Sequence, residues 1–356
     1  HAFDNSGSNT WPSAIYPDPN LPEGATVAAT KPHDHQDANG VITHFDADGD
    51  GYPDIVSGNQ ILLSSLAVTK GDFSDVTPII FDHGAAPLSV VAGDFDSDTD
   101  QDLFVVPGPS GNTGDPSTGG EAPYIILNRG DGDLKHSEKA ILSGLTPPSG
   151  SWSDISIETI TKYTHNGVDK IVLGFDDSTT GLMVIPIPGA GTKVEWESIT
   201  AGDMTTIPST TTKATKQIMT ADLDGDGVDE LLHLHDSGLD IMKTTDGIMW
   251  SIEKTIALSG AVSFDVGHLD TSGTTGVRRG LDIVVAANAN MHTYYAPDFP
   301  VATGDPAPAL ADWGTASATM TQFHHPDETL EKLLIFDEDQ NGIEDVLVTT
   351  DAGGRY

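Results

Sequence analysis

Asp94-Phe-Asp-Ser-Asp-Thr-Asp-Gln-Asp-Leu-Phe-Val105 sets a carboxylate at every second residue, five in all, and then runs straight into an apolar strand. Three other stretches carry the same order. Phe45 to Val56 reads F-D-A-D-G-D-G-Y-P-D-I-V, Asp222 to Leu232 reads D-L-D-G-D-G-V-D-E-L-L, and Phe336 to Val348 reads F-D-E-D-Q-N-G-I-E-D-V-L-V. Each acidic loop also follows a short apolar segment: Val41-Ile-Thr43, Ser89-Val-Val91, Gln217-Ile-Met219 and Leu333-Leu-Ile335. Self-similarity of this kind signals a repeat architecture in which each unit buries its apolar faces against its neighbours.

Two weaker copies fill the gaps. Tyr163 to Val172 keeps a glycine and the strand but loses the acids, and His268 to Val284 is stretched by an insertion. Six units therefore start near residues 46, 94, 162, 222, 268 and 337. Between the loops come short strand patterns cut by Gly and Asp turns, such as Glu230 to His235, Leu239 to Lys243 and Trp250 to Ile256. This pattern predicts an all-β chain with no helix. The unit size fits a four-stranded antiparallel blade, so we expect a β-propeller of six blades, with seven as the alternative. Residues 1–356 read as a single domain. Residues 1–40 precede the first loop and are expected to close the ring by pairing with the last blade, which removes exposed sheet edges.

Alternate side chains on a tight loop can converge on one cation. Positions 1, 3, 5 and 9 would supply side-chain oxygens and position 7 a backbone carbonyl, and Gly at position 4 or 6 would let the loop curl. On this reading the first calcium site uses Asp46, Asp48, Asp50, Tyr52 and Asp54. The second uses Asp94, Asp96, Asp98, Asp100 and Asp102. The third uses Asp222, Asp224, Asp226, Val228 and Glu230. The fourth uses Asp337, Asp339, Asn341, Ile343 and Asp345. About four calcium ions are expected. An EF-hand opens with the same D-x-D-x-D-G but needs Glu at position 12 and flanking helices, and β-type residues follow here instead. Magnesium suits so many anionic ligands less well. One ambiguity stays open. Phe precedes position 1 in the first and fourth loops but occupies position 2 in the second, so the frame could slip by two.

The unit D-F-D-S-D-T-D-Q-D-L-F-V resembles the FG-GAP or VCBS repeat of integrin α-subunit propellers, propeller lectins and bacterial surface proteins. The resemblance extends through the six units. It implies a propeller fold and calcium in the four acidic loops, but not in the units near Tyr163 and His268. It implies no single activity, because fold alone does not carry function.

The charge balance narrows the partners. The 356 residues hold 16 Lys and Arg against 54 Asp and Glu, a formal charge of −38. A polyanion of this size repels nucleic acid and anionic membrane surfaces, and cations relieve its self-repulsion. There is no cysteine, which excludes disulfides, thiolate metal sites and a cysteine nucleophile. No apolar run is long enough for a membrane helix. The chain starts at His1, which fits a secreted or cell-surface protein exported through a cleaved signal peptide.

Other constellations are thinner. His1 with His33, His35 or His44 resembles a copper-chelating histidine brace. His233 and His235 share a strand face near Asp236 and read as solvent-facing positions or a zinc pair. The polar stretch from Gly108 to Pro123 and the aromatics Tyr294, Tyr295, Phe299 and Trp313 are candidate ligand contacts. No G-x-S-x-G or H-E-x-x-H motif is present. The leading expectation is a calcium-binding module that recognises or adheres to glycan or protein ligands. The alternatives are a polysaccharide-active lyase or hydrolase, and a copper protein built on His1.

Overall fold

The computed structural model describes residues 42–50, 54–57, 60–64, 73–78, 89–107, 122–131, 134, 137–142, 144–145, 157–165, 168–176, 180–188, 191–207, 210, 213–269, 277–279, 281–288, 290–296, 298–300, 318–321, 329–336 and 345–350. They form one sheet after another along the chain. The first sheet is β1 (Ile42–Phe45), β2 (Asp54–Ser57), β3 (Gln60–Ser64) and β4 (Phe73–Pro78), each antiparallel to the next in chain order. The second is β5 (Ser89–Gly93), β6 (Asp102–Val106), β7 (Tyr124–Leu127) and β8 (Glu138–Ile141). The third is β9 (Ile157–His165), β10 (Val168–Phe175), β11 (Leu182–Ile185) and β12 (Thr205–Ile207). The fourth is β13 (Thr215–Ala221), β14 (Glu230–His235), β15 (Gly238–Thr244) and β16 (Trp250–Ala257).

The fifth sheet opens with β17 (Ala261–Gly267). It continues with β19 (Asp282–Ala287), β20 (Asn290–Tyr294) and β22 (Ala318–Thr321), paired in that order, while β18 (Val277–Arg279) and β21 (Asp298–Pro300) form a separate two-stranded ribbon. The last pair is β23 (Leu330–Phe336) with β24 (Asp345–Thr350).

Neighbouring sheets meet through their first strands. β1 touches β5, β5 touches β9, β9 touches β13, β13 touches β17, and β17 touches β23. Successive four-stranded meanders stacked on their first strands form a β-propeller. The N-terminal strands expected to close the ring lie outside the described residues.

A blade between two neighbours must bury both faces, so its inner strands are buried throughout and not on alternate residues. β6 (DLFVV) and β14 (ELLHLH) are buried at every position. Leu103 and Val105 pack with Phe45, Val56 and Ile61 of the first sheet. Phe104 and Val106, on the opposite face, pack with Ile171, Leu173 and Phe175 of the third. Leu231 likewise meets Val172 and Val184, and Leu232 and Leu234 meet Phe264 and Ile283. Each pair of neighbouring sheets thus shares its own core.

The expectation of no helix was wrong at one place. Between β11 and β12 lies α1 (Lys193–Glu197), followed by a single 3-10 turn at Ala201–Asp203. Its start is a capping-box pattern, Thr192 followed three residues later by Glu195, and the Glu195 carboxylate accepts the Thr192 backbone N–H. Its one buried residue, Trp196, fills the core between the second and third sheets.

Candidate functional site

The acidic loops are hairpin connections from the first to the second strand of a sheet, all closed by the same backbone pair. Phe45 pairs with Asp54, Gly93 with Asp102, Ala221 with Glu230, and Phe336 with Asp345. The residue before position 1 therefore faces position 9 in every case. Gly267 pairs with Asp282 in the same way, so the stretched fifth unit keeps the closing acid that its sequence hid behind an insertion. The third unit has no such loop. Val168 pairs directly with His165, only three residues away in the chain.

Position 9 locks each loop whose second residue is described. The position 2 N–H donates to its carboxylate: Ala47 to Asp54 at 2.7 Å, Phe95 to Asp102 at 2.8 Å, Leu223 to Glu230 at 2.9 Å and Leu269 to Asp282 at 2.9 Å. This bond sets the frame, and the second loop starts at Asp94. The other oxygens of Asp102 and Asp282 take the N–H of Asn128 and of Ala296, both at 2.8 Å.

Inside the loops, the carboxylate at position 3, and in the second and third loops also that at position 5, accepts an N–H two residues on. Asp50 N donates to Asp48 at 3.2 Å, Asp98 N to Asp96 at 3.1 Å, Asp100 N to Asp98 at 2.9 Å, Asp226 N to Asp224 at 3.2 Å and Val228 N to Asp226 at 2.9 Å. These Asx turns coil the chain so that alternate side chains converge. Left-handed residues make the coil possible. Gly225 (φ 71°) and Gly227 (φ 86°) fill positions 4 and 6 of the third loop, but Ser97 (φ 66°) and Thr99 (φ 84°) fill them in the second. A β-branched residue there is strained by about 1–2 kcal/mol, against about 0.5–1 kcal/mol of extra chain entropy for glycine. Thr99→Gly is therefore expected to stabilise the protein by roughly 1 kcal/mol in thermal unfolding.

Carboxylate oxygens converge within 4.8 Å in three groups: Asp46, Asp48 and Asp50; Asp94, Asp96 and Asp102; Asp222, Asp224 and Glu230. Burial, with Asp98 adding to it, raises the Asp96 pKa to about 6. Burial raises Asp102 to about 7, against the pull of the Asn128 and Phe95 N–H groups. Among the described residues no basic side chain pairs with the second loop's acids. Such an oxygen cluster, partly buried and strongly anionic, has the donor chemistry of a hard divalent cation site. The third group differs, because Lys243 Nζ lies 2.8 Å from Asp224, 2.7 Å from Asp226 and 3.1 Å from Glu230. Burial works against that ammonium, but the three carboxylates outweigh it and hold the lysine pKa above its usual value.

The first two loops are bridged. Gln101 Oε1 accepts the Asp46 N–H at 3.0 Å, and Asn128 Nδ2 donates to Ala47 O at 2.9 Å and to Gln101 O at 3.1 Å. Composition gave no sign of Asn128, which sits in the β7–β8 turn well downstream of both loops.

His233 and His235 are not solvent-facing. They are 0% and 1% exposed, on the β14 face that meets the third sheet. Asp240, the cross-strand partner of His233, joins them, whereas Asp236 pairs with Lys216 outside. His233 Nε2 lies 3.0 Å from Thr215 Oγ1, and His235 Nε2 lies 3.3 Å from Asp240 Oδ2. Lys213 and Thr255 also donate to Asp240. Burial opposes the Asp240 charge, yet the bonds from His235, Lys213 and Thr255 bring its pKa to about 2. Burial pushes His233 to about 3. Asp236, the third member expected from the sequence, does not join them, and the cluster is a hydrogen-bond network within the fourth sheet.

Other sequence candidates fall elsewhere. His1, His33, His35, Tyr52, Asp337, Asp339, Asn341, Ile343 and Trp313 lie outside the described residues, as do 108–121. His44 lies on β1 and Asp345 opens β24. Tyr294 is buried and Tyr295 is exposed.

Residues 46–105 match the family model of the FG-GAP-like repeat. No curated protein matches the chain. Three of the solved structures similar in shape are the following. BBS1N in complex with ARL6DN is 11% identical, with 88% of this chain and 77% of that one covered, at a TM-score of 0.47. An Agrocybe aegerita lectin, described as recognising non-reducing terminal N-acetylglucosamine, is 14% identical over 86% and 70%, at 0.46. The V. cholerae biofilm matrix protein Bap1 is 13% identical over 84% and 41%, at 0.37.

Proposed function

We propose, from the FG-GAP-like repeat at residues 46–105 and the convergence of its carboxylates, that this chain is a calcium-stabilised recognition or adhesion module. It works outside the cell, on glycan or protein ligands. The observation that carries the reading is the meeting of Asp94, Asp96 and Asp102 within 4.8 Å, with no basic partner among the described residues. Asp46, Asp48 and Asp50 make the neighbouring site. Asp98 and Asp50 lie at the exposed edges of the two loops, where they would complete each ion's shell. Calcium supplies positive charge at the loop centre, and the residues do the rest. Asn128 and Gln101 hold the two loops in one arrangement, and Asp102 and Asp54 pin each loop to its sheet.

The division of faces follows from the topology. In an antiparallel meander the first connection and the second leave at opposite ends of the sheet. The ion loops therefore stiffen one end of the blades that carry them, and the long polar connection from β6 to β7 leaves at the other. Ligand contact is assigned to that second end, since long connections on a rigid scaffold carry binding.

Calcium at about 10 mM stabilises a site of Kd about 10⁻⁴–10⁻³ M by about 1.4–2.7 kcal/mol. The full chain is expected to melt several degrees lower in excess chelator, and to bind immobilised glycans or proteins only after calcium is restored. Melting that is indifferent to both chelator and calcium rules the reading out. Release of unsaturated or reducing sugars from polysaccharide would transfer the chain to the enzymes.

A further inference from the structure

The third acidic loop carries its own cation. Its closing acid, Glu230, stands across the sheet from Lys243, one step beyond the pair Leu231–Met242. The same step beyond Ile55–Leu62 and Leu103–Ile126 sets Leu63 across from Asp54 and Leu127 across from Asp102. Among the described residues the third acidic loop alone thus has a lysine at this place, and its ammonium turns inward. An ammonium has three donors. Here the three nearest acceptors are carboxylates of Asp224, Asp226 and Glu230, at 2.8, 2.7 and 3.1 Å.

These are the oxygens a divalent ion would need. Calcium takes its ligands at about 2.3–2.6 Å, so an ion among them would touch Nζ and face a like charge in a partly buried site. The two cations exclude each other. The loop nonetheless keeps the shape of an ion site. Asp222 Oδ2 accepts the Gly227 N–H at 2.9 Å, and its Oδ1 is buried with no hydrogen-bond partner. One ammonium leaves that oxygen of the fourth carboxylate unanswered, and Glu230 Oε1 has only the ion-pair contact with Lys243.

We infer that Lys243 is the resident cation of the 222–230 loop and that a divalent ion enters this loop only when Lys243 is removed. The fourth blade is then held at any calcium level, while its two ion-bound counterparts follow the surrounding calcium. The ion-counting part of this inference rests on the calcium reading of the first two loops; the stability part does not.

The test is Lys243→Met, a neutral side chain of similar length, in the full chain. Equilibrium dialysis against calcium should find one more ion per chain than in the wild type. In chelator the variant should melt several degrees below the wild type, and calcium should restore most of the loss. A variant that folds only with calcium gives the same result in stronger form. Asp226→Ala, at an exposed position, provides the converse and should leave the wild-type ion count unchanged. A count that drops by one in Asp226→Ala, or that stays level in Lys243→Met, means that calcium already occupies the loop and overturns the inference. If no variant binds calcium, the reading of the first two loops falls, and the chelator melts decide alone. Equal melting of Lys243→Met and wild type then overturns the lysine's role as well.

Discussion

Trp196→Ala is expected to cost roughly 3–5 kcal/mol of folding stability, the range for deleting a fully buried tryptophan. Trp196 is 0% exposed and sits among Phe95, Phe104, Ile171 and Phe175, between the second and third sheets. Its ring meets Phe95 edge-on, with centroids 6.1 Å apart, and its indole N–H donates to Phe95 O at 2.9 Å. Phe95 is position 2 of the second acidic loop, and its own N–H is bound by Asp102. The loop backbone is therefore gripped at one residue from both sides, by a carboxylate of the blade and by a tryptophan of the next. Cutting the second grip also leaves a buried carbonyl unpaired, at about 1–3 kcal/mol. Urea unfolding in chelator would read the loss, and calcium titration should show weaker binding as well. Trp196→Phe keeps most of the volume and should fall between. A midpoint for Trp196→Ala close to the wild type's would mean that this core does not set the loop.

That helix also shows where the sequence was opaque. Thr192 and Glu195 form a capping pattern, but five helical residues are too few for periodicity to register, and one buried tryptophan makes no amphipathic stripe. The acidic loops were legible because their alternating carboxylates stand within nine consecutive residues, and in the first three the residue before position 1 pairs with position 9. Longer-range partners left no such trace. Asn128 reaches loops that end 26 or more residues earlier, and Asp282 is displaced from its loop by an insertion. Lys243 reads on the page as one residue of an ordinary strand, and only the pairing of β14 with β15 brings it to Glu230. His233 and His235 misled for a related reason. On a two-sided sheet strand alternation chooses which neighbour a residue meets, and neither face is solvent.

Acid should stabilise the chelated protein and fail to stabilise the calcium-loaded one. Burial raises Asp102 from 3.8 to about 7, and Asp96 and Asp98 add to it. Burial and Asp224 raise Glu230 from 4.5 to about 7, against the pull of Lys243. Burial raises Asp96 to about 6. In each case the folded chain keeps a proton that the unfolded chain has released. The resulting stability is whole below about pH 4 and is lost as pH rises through about 6 to 7. For Asp102 alone, a shift of some three units corresponds to about 4 kcal/mol. Two groups work the other way. His233, pushed down to about 3, loses stability as pH falls below 6.5, and Asp240, at about 2, gives up its contribution only below 3.8. Three acids against one histidine leave the balance with the acids. In chelator the melting temperature should therefore be several degrees higher near pH 5.5 than near pH 8. Calcium binds only the ionised carboxylates, so its affinity should climb over the same interval with release of protons. That climb should cancel the acid gain from Asp96 and Asp102. The share from Glu230 should persist in calcium, because its loop already holds Lys243, and should vanish in Lys243→Met once the ion enters. A chelated protein that melts higher at pH 8 than at pH 5.5 would show that these carboxylates are ionised without cost, and the need for an ion would go with it.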